Sequence, residues 1–268
     1  MKTILITTML LALLCKSQAA VIAYDDFDYA PGQPISGLSG GSGFITNWGV
    51  RGGGTTVTST AGITVSPTSS HYATRSFNTL TTGTYYFSFL VDNTNDGSRF
   101  TAFSLIYNSN VAGNPTGGSE LTYIGQANNQ STWGIHSAGT QVNSPDYPAS
   151  DRASRPSIAP TLMVLKVEFN HNLDGNERLS LYINPTLSDA EPTTPHIVVS
   201  NASFANGITG IWAGSGFENT TGQTTVITTY DNIRITDTWA SLNAIPEPTR
   251  PLLLLTALTL TLTRRQRL

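Results

Sequence analysis

The 268-residue chain contains a single cysteine, Cys15, so no disulfide can staple it internally. Lysine is almost as scarce. Between Val21 and Ile245 only Lys166 is found, joined by Arg51, Arg75, Arg99, Arg152, Arg155, Arg178 and Arg234. Against these 8 basic residues stand 16 acidic ones, a formal charge of −8. Such a surface repels phosphate backbones, which excludes nucleic acid as a partner, because binding there needs clustered Lys and Arg. The four histidines, His71, His136, His171 and His196, are isolated, with no zinc-ligand spacing. No Gly-x-Ser-x-Gly elbow is present, and the triple glycine at Gly52–Gly54 lacks the Lys-Ser/Thr of a phosphate loop. A long apolar run, a sustained helical period, an internal repeat and a long linker are all missing between residues 21 and 245. That length suits one all-β domain, large enough to be stable without disulfides or metal.

The termini are different. Lys2 precedes an apolar or Thr-containing stretch, Ile4 to Leu14, and Ser17 and Ala19 then stand at −3 and −1 before a cut ahead of Ala20. A cut after Ala20 fits nearly as well. This is the layout of a secretory signal, too short in its apolar part for a membrane span. Leu14 is not the small residue that a lipoprotein signal needs before its cysteine.

The other end reads IPEPTRPLLLLTALTLTLTRRQRL. Pro246-Glu247-Pro248 precede an apolar or Thr run from Pro251 to Thr263, and Arg264, Arg265 and Arg267 follow. As a helix that run spans about 20 Å at 1.5 Å per residue, against about 30 Å of bilayer hydrocarbon. Its arginines would stay cytoplasmic under the positive-inside rule. This tripartite tail resembles the PEP-CTERM sorting signal of Gram-negative bacteria. The resemblance implies that Pro246, Glu247 and Pro248 are the motif read by a membrane protease-transferase, the exosortase, and that Arg264, Arg265 and Arg267 are the cytoplasmic stop. The copy departs from the family pattern at Arg250 and Pro251 and in its threonines, Thr256, Thr259, Thr261 and Thr263. An ordinary single-pass tail anchor is the other reading. Expected boundaries are therefore a signal helix over 1–20, a β domain over 21–245 and a hydrophobic sorting helix over 246–268.

Within the body, Thr84–Val91, Phe100–Tyr107, Leu162–Asn170, Leu179–Asn184, His196–Ser200 and Thr224–Ile235 read as strands. Gly32–Gly54, Asn108–Ser119 and Ser137–Pro160 read as loops, and Asp174-Gly175 predicts a hairpin turn. Met163, Leu165, Val167 and Phe169 form a wholly apolar face that should look inward. Many short strands with Gly-rich turns predict an antiparallel sandwich or barrel. The opening Tyr24-Asp25-Asp26-Phe27-Asp28-Tyr29, the Gly-rich run to Asn47-Trp48-Gly49, and the closing Tyr230-Asp231-Asn232-Ile233-Arg234-Ile235 with Thr238-Trp239 narrow this further. They resemble the first and last strands of concanavalin A-like, laminin-G-type jelly rolls. Asp174-Gly175-Asn176 through Leu181-Tyr182-Ile183-Asn184-Pro185 is similar to members carrying a PEP-CTERM tail. The resemblance implies adjacent terminal strands and a fold shared by lectins and some glycosidases.

The family's catalytic string, Glu-x-Asp-x-Glu, is absent. A retaining glycosidase needs two carboxylates about 5–5.5 Å apart, and along its own strand Glu168 has only Lys166 and Asn170 on its face, which reads as a solvated surface. Asp25, Asp26 and Asp28, with Asp231 and Asn232 if the terminal strands meet, could hold Ca²⁺. Strand alternation argues otherwise, turning Asp25 away from Asp26 and Asp28, and no cofactor is the leading expectation. Trp48, Trp133, Trp212 and Trp239 fit core packing better than a sugar-stacking platform, with Trp133, beside the polar Asn128–Thr132, the best exposed candidate. The expectation is a non-catalytic envelope or extracellular-matrix protein that binds polysaccharide. The alternative is a carbohydrate-active enzyme, a glycoside hydrolase or lyase.

Overall fold

The computed structural model describes residues 21–51, 55–58, 62–65, 71–93, 101–107, 120–126, 131–137, 152–155, 160–188, 190–215 and 228–243. These form two antiparallel sheets packed face to face, an all-β sandwich consistent with a jelly roll. The first sheet holds β1 (Val21–Asp25), β3 (Thr55–Val57), β4 (Ile63–Val65), β6 (Thr84–Asn93), β11 (Thr161–Glu168), β12 (Glu177–Ile183), β13 (Ile197–Ala202) and β15 (Thr228–Thr236). The second holds β2 (Gly49–Arg51), β5 (His71–Leu80), β7 (Thr101–Ile106), β8 (Glu120–Gln126), β9 (Thr132–Ser137), β10 (Arg152–Ser154) and β14 (Ile208–Ser215). Spatial order is β13-β12-β11-β6-β15-β4-β3 in the first, with β1 also beside β15, and β10-β9-β8-β7-β14-β5-β2 in the second. A 3₁₀ turn, Ala240–Asn243, follows β15. The helices expected over 1–20 and 246–268, with Ala19, Ala20 and the sorting residues Pro246 to Arg267, lie outside the described residues. Among the described residues no helix is long and apolar enough to cross a membrane.

Side-chain period 2 explains the core. On β11, Met163, Leu165 and Val167 are fully buried, facing Phe89, Phe87 and Tyr85 of β6 in register. Phe89 stacks on Phe103 of β7 across the sandwich at 4.2 Å between ring centroids. Each such phenyl removed from water contributes about 2–3 kcal/mol. The expected β11–β12 hairpin is present, paired from Met163↔Ile183 to Glu168↔Arg178. Its turn is held by Asn172, whose Oδ1 accepts the Asp174 and Asn176 amides at 3.1 and 3.0 Å, and Gly175 takes the left-handed φ of +75° that glycine tolerates best. The Tyr230 hydroxyl lies 2.8 Å from the carbonyls of both Ala102 and Gly214, joining the first sheet to the second.

The terminal strands do lie side by side, with Tyr24 opposite Arg234 and Asp25 opposite Ile233. What locks β1 down is a buried ion pair. Asp25 reaches across to Arg75 of β5, and both side chains are almost fully buried. The same carboxylate accepts the Trp48 indole N–H at 2.8 Å, the Tyr29 hydroxyl at 2.7 Å and the Phe27 amide at 2.9 Å. Arg75 donates to Thr46 O at 2.9 Å, and its guanidinium carbon sits 4.4 Å from the Phe44 ring centroid. The Gly-rich loop is thereby pressed on β1. A Cβ on Gly43 (φ +79°) would stand 1.8 Å from Ile22 O, so glycine is required there by both space and backbone.

Four strands of the second sheet, β5, β8, β9 and β14, were not legible as strands, and β2 and β10 fall inside stretches read as loops. Close strand approach is one reason for β8 and β14. A Cβ on Gly125 would lie 2.0 Å from Thr101 O, and one on Gly210 2.7 Å from Arg75 O. Glycines that permit close backbone packing make a strand read as a loop.

Candidate functional site

Trp133 is not exposed. It points inward from β9 opposite Gln126, is 1% accessible, and has the Arg155 guanidinium 5.6 Å from its ring. The polar residues before it end where the strand begins, and alternation then turns Trp133 and Ile135 into the core. The other tryptophans are buried as well, as core packing predicts. Trp212 stacks on Tyr72 at 5.1 Å on the outer face of the second sheet, with Tyr123 edge-on at 5.7 Å, and together these form a minor apolar cluster.

Nor do the acidic residues of the first strand converge as a calcium cage. Asp25 is occupied by Arg75 and three other donors, while Asp26 and Asp28 are exposed. Among the described residues no three His, Cys, Asp or Glu side chains come together as a metal site. His196 accepts the Ile183 amide through Nδ1 at 3.1 Å, and His171 lies exposed in the hairpin turn.

The outer face of the first sheet carries the richest polar chemistry. It begins on β11, where Val164, Lys166 and Glu168 point away from the core. It is not the solvated surface expected. After β15 the chain turns back, and Trp239 packs edge-on against Tyr86 of β6 and Tyr182 of β12 at 5.8 and 5.1 Å. Leu242 joins them, and Val164 is buried beneath.

Beside this lid lies an ionic network. Lys166 Nζ is 3.4 Å from Glu168 and 3.2 Å from Glu191, and Arg178 Nε is 3.8 Å from Glu168. Tyr86 donates to Glu191 at 2.7 Å, and Tyr182 donates to its other oxygen. Glu191 comes from the loop between β12 and β13, so no strand periodicity announces it. Burial alone would raise its pKa, but hydrogen bonds from Tyr182, Tyr86 and Lys166 outweigh that and hold the carboxyl below its usual range. Burial and the bonds to Glu191 push both tyrosines upward, so they stay neutral donors. Glu168 and Glu191 thus share the Lys166 ammonium, and the Glu191 carboxyl is held towards its ionised form.

Bordering the Trp239 cluster on the same face opens a groove of about 340 Å³. Leu90, Leu162, Leu187 and Leu242 form its apolar walls, and Asn232 and Arg234 of β15 are among its polar groups. Ser88 contributes to its lining, and Asn243 lies at the rim, where its Nδ2 donates to Leu187 O at 2.6 Å. A break in the ladder sets this lining. The β6–β15 register shifts between Asp231 and Arg234, and Asn232 adopts φ +51°, uncommon for a residue with a Cβ. The strained amide donates to Asp231 Oδ1 at 2.6 Å. Bulges of this kind re-aim side chains beside functional sites. Burial raises the Asp231 pKa to about 6, with Asp26 and Asp25 adding to the rise and bonds from Asn232 opposing it. Arg234 is positioned by donating to Leu242 O at 3.1 Å.

No family profile matches the chain, and no curated protein matches it. Among solved structures, alginate lyase Aly36B is similar with 14% identity and a TM-score of 0.47, covering 81% of this chain and 96% of that one. The carbohydrate recognition domain of Emp46p in its potassium-bound form has 11% identity and a TM-score of 0.46, covering 71% of this chain and 88% of that one. The T. cruzi calreticulin globular domain has 10% identity and a TM-score of 0.47, covering 71% and 83%. Similarity at this level carries no family assignment and no activity, and the sandwich stands on its own strand pairing.

Proposed function

We propose that this chain is an exported, non-catalytic polysaccharide-binding β-sandwich, routed to the cell envelope by its two terminal signals and processed by an exosortase-type enzyme at the C-terminal one. The groove supports the binding half of this reading. Leucine walls suit the C–H faces of a sugar ring, while Asn232, Arg234, Asn243 and Ser88 suit its hydroxyls, the usual mixture of a small-molecule site. The polar network supports the non-catalytic half. A glycosidase separates its two carboxyls into a protonated acid and an ionised partner; here Glu191 is pushed towards the ionised form and Glu168 is clamped between Lys166 and Arg178.

The enzyme reading rests on one observation, the meeting of Glu168 and Glu191 at a single ammonium. A glycan array of the full chain, with and without Ca²⁺, separates the two when followed by an assay of reducing-end release from every bound glycan. Binding without release is expected. Release abolished by Glu168→Gln or Glu191→Gln establishes the enzyme instead, and a silent array removes polysaccharide binding.

A further inference from the structure

We infer that Glu177 is a pH-operated latch on the crossover from the edge of the first sheet to the second, closed in acid and loosened as its carboxyl ionises. Glu177 opens β12, and strand parity puts it on the inward face with Leu179, Leu181 and Ile183. It is 4% accessible. Its partner across the ladder is Ala202, the last residue of β13. The register shifts between Glu177 and Leu179, and Ser200 and Asn201 of β13 stand exposed at that bulge. Beyond it the chain crosses to β14 through residues 203–207, and there the Phe204 amide donates to Glu177 Oε2 at 2.8 Å. Gly207 N closes the crossover on Phe204 O at 2.7 Å, and the buried Phe204 ring packs edge-on against Phe169 at 6.3 Å. Among the described residues β13 pairs with β12 alone, so the bond from Phe204 is a second tie at the open edge of the sheet.

Unlike Asp25, this buried carboxyl has no cation. Lys166, Glu168 and Arg178 form their ion pairs on the outer face of the sheet. His171 and Asp174 are exposed in the hairpin turn, and Tyr85 of β6 lies beyond Phe169, whose ring it meets at 6.0 Å. On β9, the strand of the second sheet that β13 touches, the inward residues are Trp133 and Ile135. β13, the crossover and the β5–β6 turn at 81–83 carry no charged residue. Burial therefore raises the Glu177 carboxyl above its usual range, opposed only by the amides of Phe204 and of Glu177 itself. A protonated carboxyl still accepts the Phe204 amide through its carbonyl oxygen, so the acid form keeps the bond without burying a charge. With the folded value raised, the stabilising contribution is complete below the ordinary glutamate value and is lost as pH rises through the folded one. The ionised form is relieved by turning to water, which requires the crossover to let go.

The test is native-state hydrogen exchange of the full chain between about pH 4 and pH 7, the range above the ordinary glutamate value, with rates corrected for the intrinsic pH dependence of exchange. Protection of the amides in 197–207 should fall with rising pH, by about tenfold for each pH unit that the folded carboxyl value lies above the unfolded one. Amides of β6 and β11 should lose less over the same range. Glu177→Gln keeps the size and the acceptor without the charge, so its crossover amides should lose protection less steeply than those of the wild type. A second measurement needs no variant to fold: the Glu177 Cδ shift in carbon NMR of the wild type should titrate above the ordinary glutamate value. Crossover protection that is independent of pH, that falls in parallel in Glu177→Gln, or that falls no more than in β6 and β11 overturns the inference. So does a Glu177 carboxyl that titrates at or below the ordinary value.

Discussion

Replacing Asp25 with Ala strips one carboxylate from four donors at once: the Arg75 guanidinium, the Trp48 indole, the Tyr29 hydroxyl and the Phe27 amide. The charged donor decides the cost. Arg75 is 3% accessible and would remain buried with its partner gone, a situation that costs about 3–5 kcal/mol. The three neutral bonds add to this, but each is worth only about 1 kcal/mol and the freed groups can relax together. Typical stability is about 5–15 kcal/mol, so the variant should survive while unfolding roughly 10 °C earlier, at about 2–4 °C per kcal/mol for a domain of this size. Urea and thermal unfolding followed by tryptophan fluorescence would measure it, since Trp48 is itself in the node. Asp25→Ala, Arg75→Ala and the double variant complete a cycle, in which removing Arg75 from the Asp25→Ala background should recover part of the loss. A cost below about 1 kcal/mol for Asp25→Ala, or no coupling in the cycle, would refute the claim that an unpaired buried charge is what the fold avoids.

The Asp231 carboxyl is raised to about 6, so the folded state holds its proton more tightly than the unfolded state does. Its stabilising contribution is complete at acidic pH, below the ordinary aspartate value, and is lost as pH rises towards about 6. Because the side chain is only partly buried, solvent screening reduces this to roughly 1 kcal/mol. Urea midpoints of the wild type should fall more steeply between about pH 4 and pH 6 than those of Asp231→Asn; parallel profiles would contradict the assignment. For the sorting proposal, replacing Arg264, Arg265 and Arg267 together by Ala should change membrane retention or processing on cell fractionation, and an unaltered distribution would count against it.

Much of the first sheet was legible because its strands alternate cleanly. Leu162–Phe169 placed four apolar residues on one face, and those four face the core. The Asp-Gly turn was readable from its own residue pair, whereas the adjacency of first and last strands came only from the resemblance to laminin-G-type jelly rolls. The second sheet was harder. Its strands carry Gly, Thr and Ala where neighbouring backbones approach closely, and a residue chosen for what it lacks has no periodic signature. Trp133 shows the converse error: polar neighbours in sequence suggested exposure, yet a strand turns adjacent residues to opposite sides.

The candidate site was almost wholly hidden. Glu168 could be placed on an outward face, but the rest of its network comes from elsewhere: Arg178 from the next strand, Tyr86 from β6 much earlier in the chain, and Glu191 from a loop. Asn232 and Arg234 belong to a segment marked for its resemblance to a terminal strand, and nothing local says that a bulge turns them towards a groove. Local pattern alone determined the all-β class, the inward face of β11, the net negative charge and the two terminal segments that read as signals, because each depends on residues adjacent in the chain. Only tertiary structure decided that Asp25 is bound by Arg75, that Trp133 is buried, and that β6, β11 and β15 with the 3₁₀ turn enclose a groove. Each of those outcomes depends on which strands become neighbours, and strand order is set by the packing of two whole sheets.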